Sequence, residues 1–176
     1  MIGEIAMLIV AVILVGVAST LTMDVLGSLS RKVGLAAGAN GQWVGRWYLG
    51  MARGQFVHAN IADSPEQAGE RRAALIGHYL IGIALAALYV VAAGVLGVTP
   101  ASFALAVGYG LATCVFPWFL VFPALGFGMF GRKGPRELKL FTSSLLNHFF
   151  YGFGLWWISN VLWLGLKIGD WSGGPV

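Results

Sequence analysis

Asp24, His78 and His148 are the residues of this chain whose types and placement could do chemistry. Two imidazoles and one carboxylate can hold zinc with a vacant position, or non-haem iron as a facial triad, and so activate water or oxygen. Without a metal, the same set handles protons. Desolvation raises a carboxyl pKa and lowers an imidazole pKa, while mutual attraction opposes both shifts. No tight motif such as HExxH fixes the choice, so a divalent metal and a small protonatable ligand both stay open. Haem between His78 and His148 fits poorly, because the two lie at different depths and no propionate arrangement accompanies them. The one cysteine, Cys114, excludes an intramolecular disulfide and any multi-cysteine cluster.

What makes these residues conspicuous is their setting. Each lies inside an apolar run, where an acid costs about 2.5–3.5 kcal/mol on insertion scales and normally faces a bundle interior or an ion path. Counted from the basic flanks at about 1.5 Å per residue, Asp24 (before Arg31) and His78 (after Arg72) lie about 10 Å deep, and His148 (after Lys139) about 13 Å. Three helices thus bring ionisable groups to one layer, and the expectation is that Asp24 is buried against His78, His148 or both. Thr20, Ser144, Tyr151 and Asn147 are secondary candidates within a turn of the acid or of His148. In "VFPWFLVFPALGFG", Pro117 and Pro123 each remove a helix hydrogen bond and should free the carbonyls of Thr113 and Phe119, making this segment a helix break and a candidate gate. The structural alternative is that the same polar groups simply bond neighbouring helices together.

The elements that must position these groups follow from composition. Of 176 residues, 58% are hydrophobic and 10% charged, with a mean hydropathy of +0.80. Soluble domains carry about 25% charged residues, so the reading is a membrane protein. The fold class is all-α: one integral membrane four-helix bundle over residues 1–176, with spans at about 4–28, 70–98, 101–130 and 138–168. The N-terminal run lacks a basic leader and carries Glu4, so it reads as a retained helix. Ten of the eleven basic residues fall between the apolar runs of spans one and two, which resume at Ala73, or of spans three and four, which resume at Leu140. The positive-inside rule makes both loops cytoplasmic and both termini external. Only Lys167 is on the other side, where Trp156, Trp157, Trp163 and Trp171 suit the outer interface. The excess of basic residues marks sidedness and gives no phosphate-tracking face, so nucleic acid is not an expected partner. The lipid bilayer is, and a second copy or a membrane-complex subunit could be.

The loop over 29–69 is too aromatic for a linker. Trp43, Trp47 and Met51 recur at i, i+4 and i+8, with Arg46 and Arg53 on other faces, which predicts an amphipathic helix lying in the cytoplasmic interface with its arginines at headgroups. In "SPEQ", Ser64 as N-cap and Pro65 at the first position predict that the second span's helix begins there. His58 could fold under the pocket as a further ligand, although solvent is the commoner place for a loop histidine.

The stretches "RGQFVHANIADSPEQAGE", "GHYLIGIALA", "FPALGFG" and "LLNHFFYGFGLW", following "GVASTLTMD", resemble a family of bacterial membrane proteins, the domain of unknown function 2938. The motifs occur in order over nearly the whole chain and include Asp24, His58, His78 and His148. The resemblance implies a four-span inner-membrane protein and carries no activity with it. Two classes of function remain from the residues: a protein with an Asp/His site, as enzyme or transporter, or an accessory subunit that docks other membrane proteins through its apolar faces.

Overall fold

The computed structural model describes residues 2–36, 41–135 and 139–166. Arg136, Lys167 and Trp171 lie outside them, as do the end of the fourth span and the side chain of Trp163. The described chain is all-helical. Its α-helices are α1 (Ile2–Lys32), α2 (Gly41–Met51), α3 (Glu70–Leu96), α4 (Phe103–Ala112), the single turn α5 (Phe122–Ala124) and α6 (Leu140–Leu166). α1, α3 and the stretch Phe103–Ala124 are each long and apolar enough to cross a membrane. α6 is 27 residues long but intersperses Asn147, His148, Tyr151 and Asn160 among its apolar residues.

Helix ends obey local chemistry. α1 runs into Arg31 and Lys32, whose charges suit the negative helix end, and stops at Gly34, where φ is 76° and the Leu35 amide reaches back to Ser30 O. α3 starts at Glu70, after Gly69 in the left-handed region, and not at the "SPEQ" cap. Ser64 instead ends a short 3-10 turn, Ile61–Asp63, that the Asn60 side chain caps. At its other end α3 stops at Gly97, and the Tyr89 hydroxyl donates to Pro100 O at 2.6 Å, bracing the turn into α4.

The third apolar run is broken, as its prolines predict, but it ends as a helix at Ala124 and not near residue 130. Pro117 has no N–H to offer Thr113, so the chain widens into a π turn over Pro117–Val121 and closes with the Phe122 amide on Pro117 O. The Thr113 carbonyl is not left free: the Phe116 amide donates to it at 3.1 Å. Tightening before the proline has already satisfied it.

α1 lies between α3 and α6, and α6 packs on its other flank against α4. Glycines set these approaches. A Cβ on Gly16 would meet the Ile83 backbone, one on Gly154 the Ser19 backbone, and one on Gly110 the backbones of His148 and Gly152. Such spots admit only hydrogen, which lets the helices touch along their backbones. The core between the helices holds Val15, Ala86, Tyr89, Val90, Ala106, Tyr151 and Leu155. A second cluster, Trp47, Ile61, Phe122, Ala124, Leu125, Phe127 and Leu140, forms a cap where the loop after α2 meets the broken helix.

Candidate functional site

Asp24 lies eight residues before the end of α1, and His78 eight residues after the start of α3. At about 1.5 Å per residue each is about 12 Å from its charged helix end. The close approach at Gly16 and Gly82, the latter beside Thr20, lets two short side chains meet across the seam. His78 Nε2 lies 2.9 Å from Asp24 Oδ1, and the Tyr79 hydroxyl donates to Asp24 Oδ2 at 3.2 Å. An ionised carboxylate only accepts, so His78 Nε2 carries the proton and Nδ1 is the ring's remaining face.

The pair is not sealed in the bundle. The side chains of Asp24 and His78 are 42% and 40% exposed, on the flank where α1 meets α3. The interior side of α1 at this level is occupied by Gly27, against which the Asn147 amide packs.

His148 is elsewhere. Its Nδ1 is 2.7 Å from Thr113 Oγ1, which itself donates to Gly110 O at 2.6 Å. A hydroxyl has one proton to give, so Thr113 accepts from His148 Nδ1–H and the imidazole ties α6 to the start of the helix break. The separation has a simple cause. Asn147 and Gly154 face α1, while His148 and Gly152 face α4, and neighbours in sequence differ by about 100° around a helix.

Three of the four secondary candidates are taken up in hydrogen bonds within or between helices. Thr20 donates to Gly16 O, Tyr151 to Gly82 O at 2.6 Å, and Ser144 to Phe141 O while accepting from the Trp118 indole at 2.7 Å. Among the described residues no group of three His, Cys, Asp or Glu could hold a metal ion. A site of two histidines and one carboxylate therefore lacks its third ligand, and the residues present do not fit it.

The loop after α2 contains an arrangement that sequence reasoning missed. α2 does not present its arginine to headgroups. It packs on the start of α3, with Gly45 against the Glu70 carbonyl and Tyr48 against Gly77, and buries both Trp47 and Arg46. The Arg46 guanidinium forms a bidentate pair with Glu70, at 2.8 and 3.1 Å, and also donates to the carbonyls of Ile61 and Ser64. Glu70 in turn accepts from the Gln67 amide at 3.0 Å. The pair raises the already high arginine pKa, chiefly through its hydrogen bonds to Glu70. The available signal was the glycine directly before Arg46, which a surface helix does not need.

His58 is buried, not solvated. Its amide donates to Ala124 O at 2.8 Å and the Ile61 amide to Leu125 O at 2.9 Å, so the loop is laid along the end of the broken helix. Its Nδ1 lies 3.1 Å from Ser64 Oγ and 3.3 Å from Gln55 Nε2, and its Nε2 has no hydrogen-bond partner among the described residues. Burial, then the charge of Arg46, hold this imidazole below its usual pKa. The folded chain thus favours neutral His58, while the unfolded chain protonates near the ordinary value of 6.5. Stability from this group is complete above that value and is lost as pH falls through it towards the folded pKa. Thermal unfolding in detergent should show a lower midpoint at pH 5.5 than at pH 7.5, and His58→Gln should lose that component. An unchanged pH dependence in the variant would disprove it.

A family described as "Protein of unknown function (DUF2938)" matches residues 13–162. The chain belongs to this family. The match runs from the middle of α1 to near the end of α6, so it includes Asp24, His58, Arg46, Glu70, His78 and His148. No curated protein and no solved structure matches the chain.

Proposed function

We propose that this is a bacterial inner-membrane protein whose four long helical segments form one bundle, and that the Asp24–His78 couple is a protonatable site in the cytoplasmic leaflet, taking a proton or a small protonatable ligand. The observation that carries the reading is the 2.9 Å contact, with Tyr79 on the second carboxylate oxygen, between two helices otherwise apolar enough to cross a membrane. Neither group is comfortable alone at that depth, and each offsets the other. The pair is open on the flank where α1 meets α3, so a ligand can reach it there without unpacking the core. The basic loops support a cytoplasmic orientation. His148 serves here as a strut, and the metal reading is set aside with it.

Two groups in direct contact contribute to stability as a unit. In a double-variant cycle read by thermal unfolding in detergent, Asp24→Asn and His78→Ala together should therefore cost less than the sum of the two single changes, whereas Asp24→Asn and His148→Ala should add. Strictly additive losses for Asp24→Asn and His78→Ala would overturn the proposal.

A further inference from the structure

The face of α3 that carries His78 continues towards the helix start. At about 100° per residue, Arg71, Leu75, His78 and Gly82 fall on one stripe, with Tyr79 and Arg72 along its edge. Gly82 against Thr20 and His78 on Asp24 mark this as the side turned towards α1. Below the pair lies an open groove of about 570 Å³ lined by Gly69, Arg71, Arg72 and Leu75.

The chemistry of this groove is uneven. Glu70, the acid of this first turn, is turned away, with both oxygens held by Arg46. Arg71 and Arg72 are exposed, and among the described residues neither has an ion pair or hydrogen-bond partner. Gly69 leaves the space beside them open, since a Cβ there would meet nothing within 4 Å. Leu75, on this stripe, is 60% exposed, and Ile76 and Leu80, exposed to a similar degree, follow Arg72 along the flank turned away from α1.

We infer that this groove binds an anionic phospholipid, its phosphate between Arg71 and Arg72 and its glycerol and acyl portion along Leu75 towards Tyr79, His78 and Asp24. The inference rests on the membrane orientation proposed above and names a ligand class for a groove one turn from that site. Paired arginines match phosphate oxygens in geometry and charge. A free phosphate would use only the arginines. The exposed apolar strip calls for a ligand with an acyl chain, and it descends from the charged helix end in the direction an inner-leaflet lipid takes. The Asp24–His78 pair then lies about 10 Å from the phosphate, near the depth of the lipid esters.

Native mass spectrometry of the detergent-purified protein tests this with dioleoylphosphatidylglycerol, dioleoylphosphatidylcholine and glycerol 3-phosphate as probes. The wild type should retain the anionic lipid in preference to the zwitterionic one. At about fivefold per arginine, Arg71→Gln/Arg72→Gln should weaken retention about twenty-five-fold. Both positions are exposed, so an unchanged melting temperature should confirm that the variant is folded. Equal retention by variant and wild type, or equal retention of the two lipids, would overturn the inference. Displacement of the lipid by equimolar glycerol 3-phosphate would overturn it too, in favour of a soluble phosphate. Asp24→Asn should keep the lipid while losing its non-additivity with His78→Ala, so this proposal and the Asp24–His78 site fail separately.

Discussion

Arg46→Met is expected to destabilise the protein by about 3–5 kcal/mol, measured as thermal or denaturant unfolding in detergent, because it leaves the Glu70 carboxylate buried without a counter-charge. It also strips a donor from the carbonyls of Ile61 and Ser64, so the loop that lies on α5 should become the first site of proteolytic cleavage. Replacing both partners by apolar residues should recover part of the loss, since a buried pair contributes little net stability against well-packed hydrophobic groups. A loss under about 1 kcal/mol for the single change would mean that water reaches Glu70 and that the cap is not closed.

The second large effect belongs to a glycine. Gly110 and Gly108 are two residues apart on α4, yet a Cβ on Gly110 would fall on the backbones of His148 and Gly152, while one on Gly108 would meet nothing within 4 Å. Gly110→Ala should therefore cost about 1–3 kcal/mol by forcing α4 off α6. Gly108→Ala should stabilise by about 0.5–1 kcal/mol through the helix interior alone. Unfolding midpoints of the two variants under identical detergent conditions decide it. Equal midpoints would show that the α4–α6 seam does not have this backbone contact. The Gly110 change should also disturb the His148–Thr113 hydrogen bond, since that bond spans the same seam.

Both effects arise where helices meet through backbone, and this bears on the proposed site. Asp24 and His78 can touch only because Gly16 and Gly82 hold α1 against α3. Within this protein, small residues decide which helices approach, and the polar residues then find partners where that approach puts them.

Length, hydropathy and punctuation were legible in the sequence. A run of about 20 apolar residues has few alternatives to a helix, so α1 and α3 appear close to where composition predicts them. Pro117 announces the break in the third run because it has no N–H, whatever surrounds it. The equal distances of Asp24 and His78 from their charged helix ends also follow from counting, and they meet. Facing is what the sequence leaves open. In a helix apolar all round, no periodicity distinguishes the side turned to a neighbour from the side turned to lipid. Asn147 and His148 therefore read alike, yet one rotation step sends the first to α1 and the second to Thr113. Tertiary structure also decided Arg46 and His58. Taken alone, the α2 stripe of Trp43, Trp47 and Met51 suits a membrane surface as well as it suits a protein one. Only the approach of Gly45 to the Glu70 carbonyl, across a separation no local rule covers, turned that arginine inward and closed the loop over the histidine.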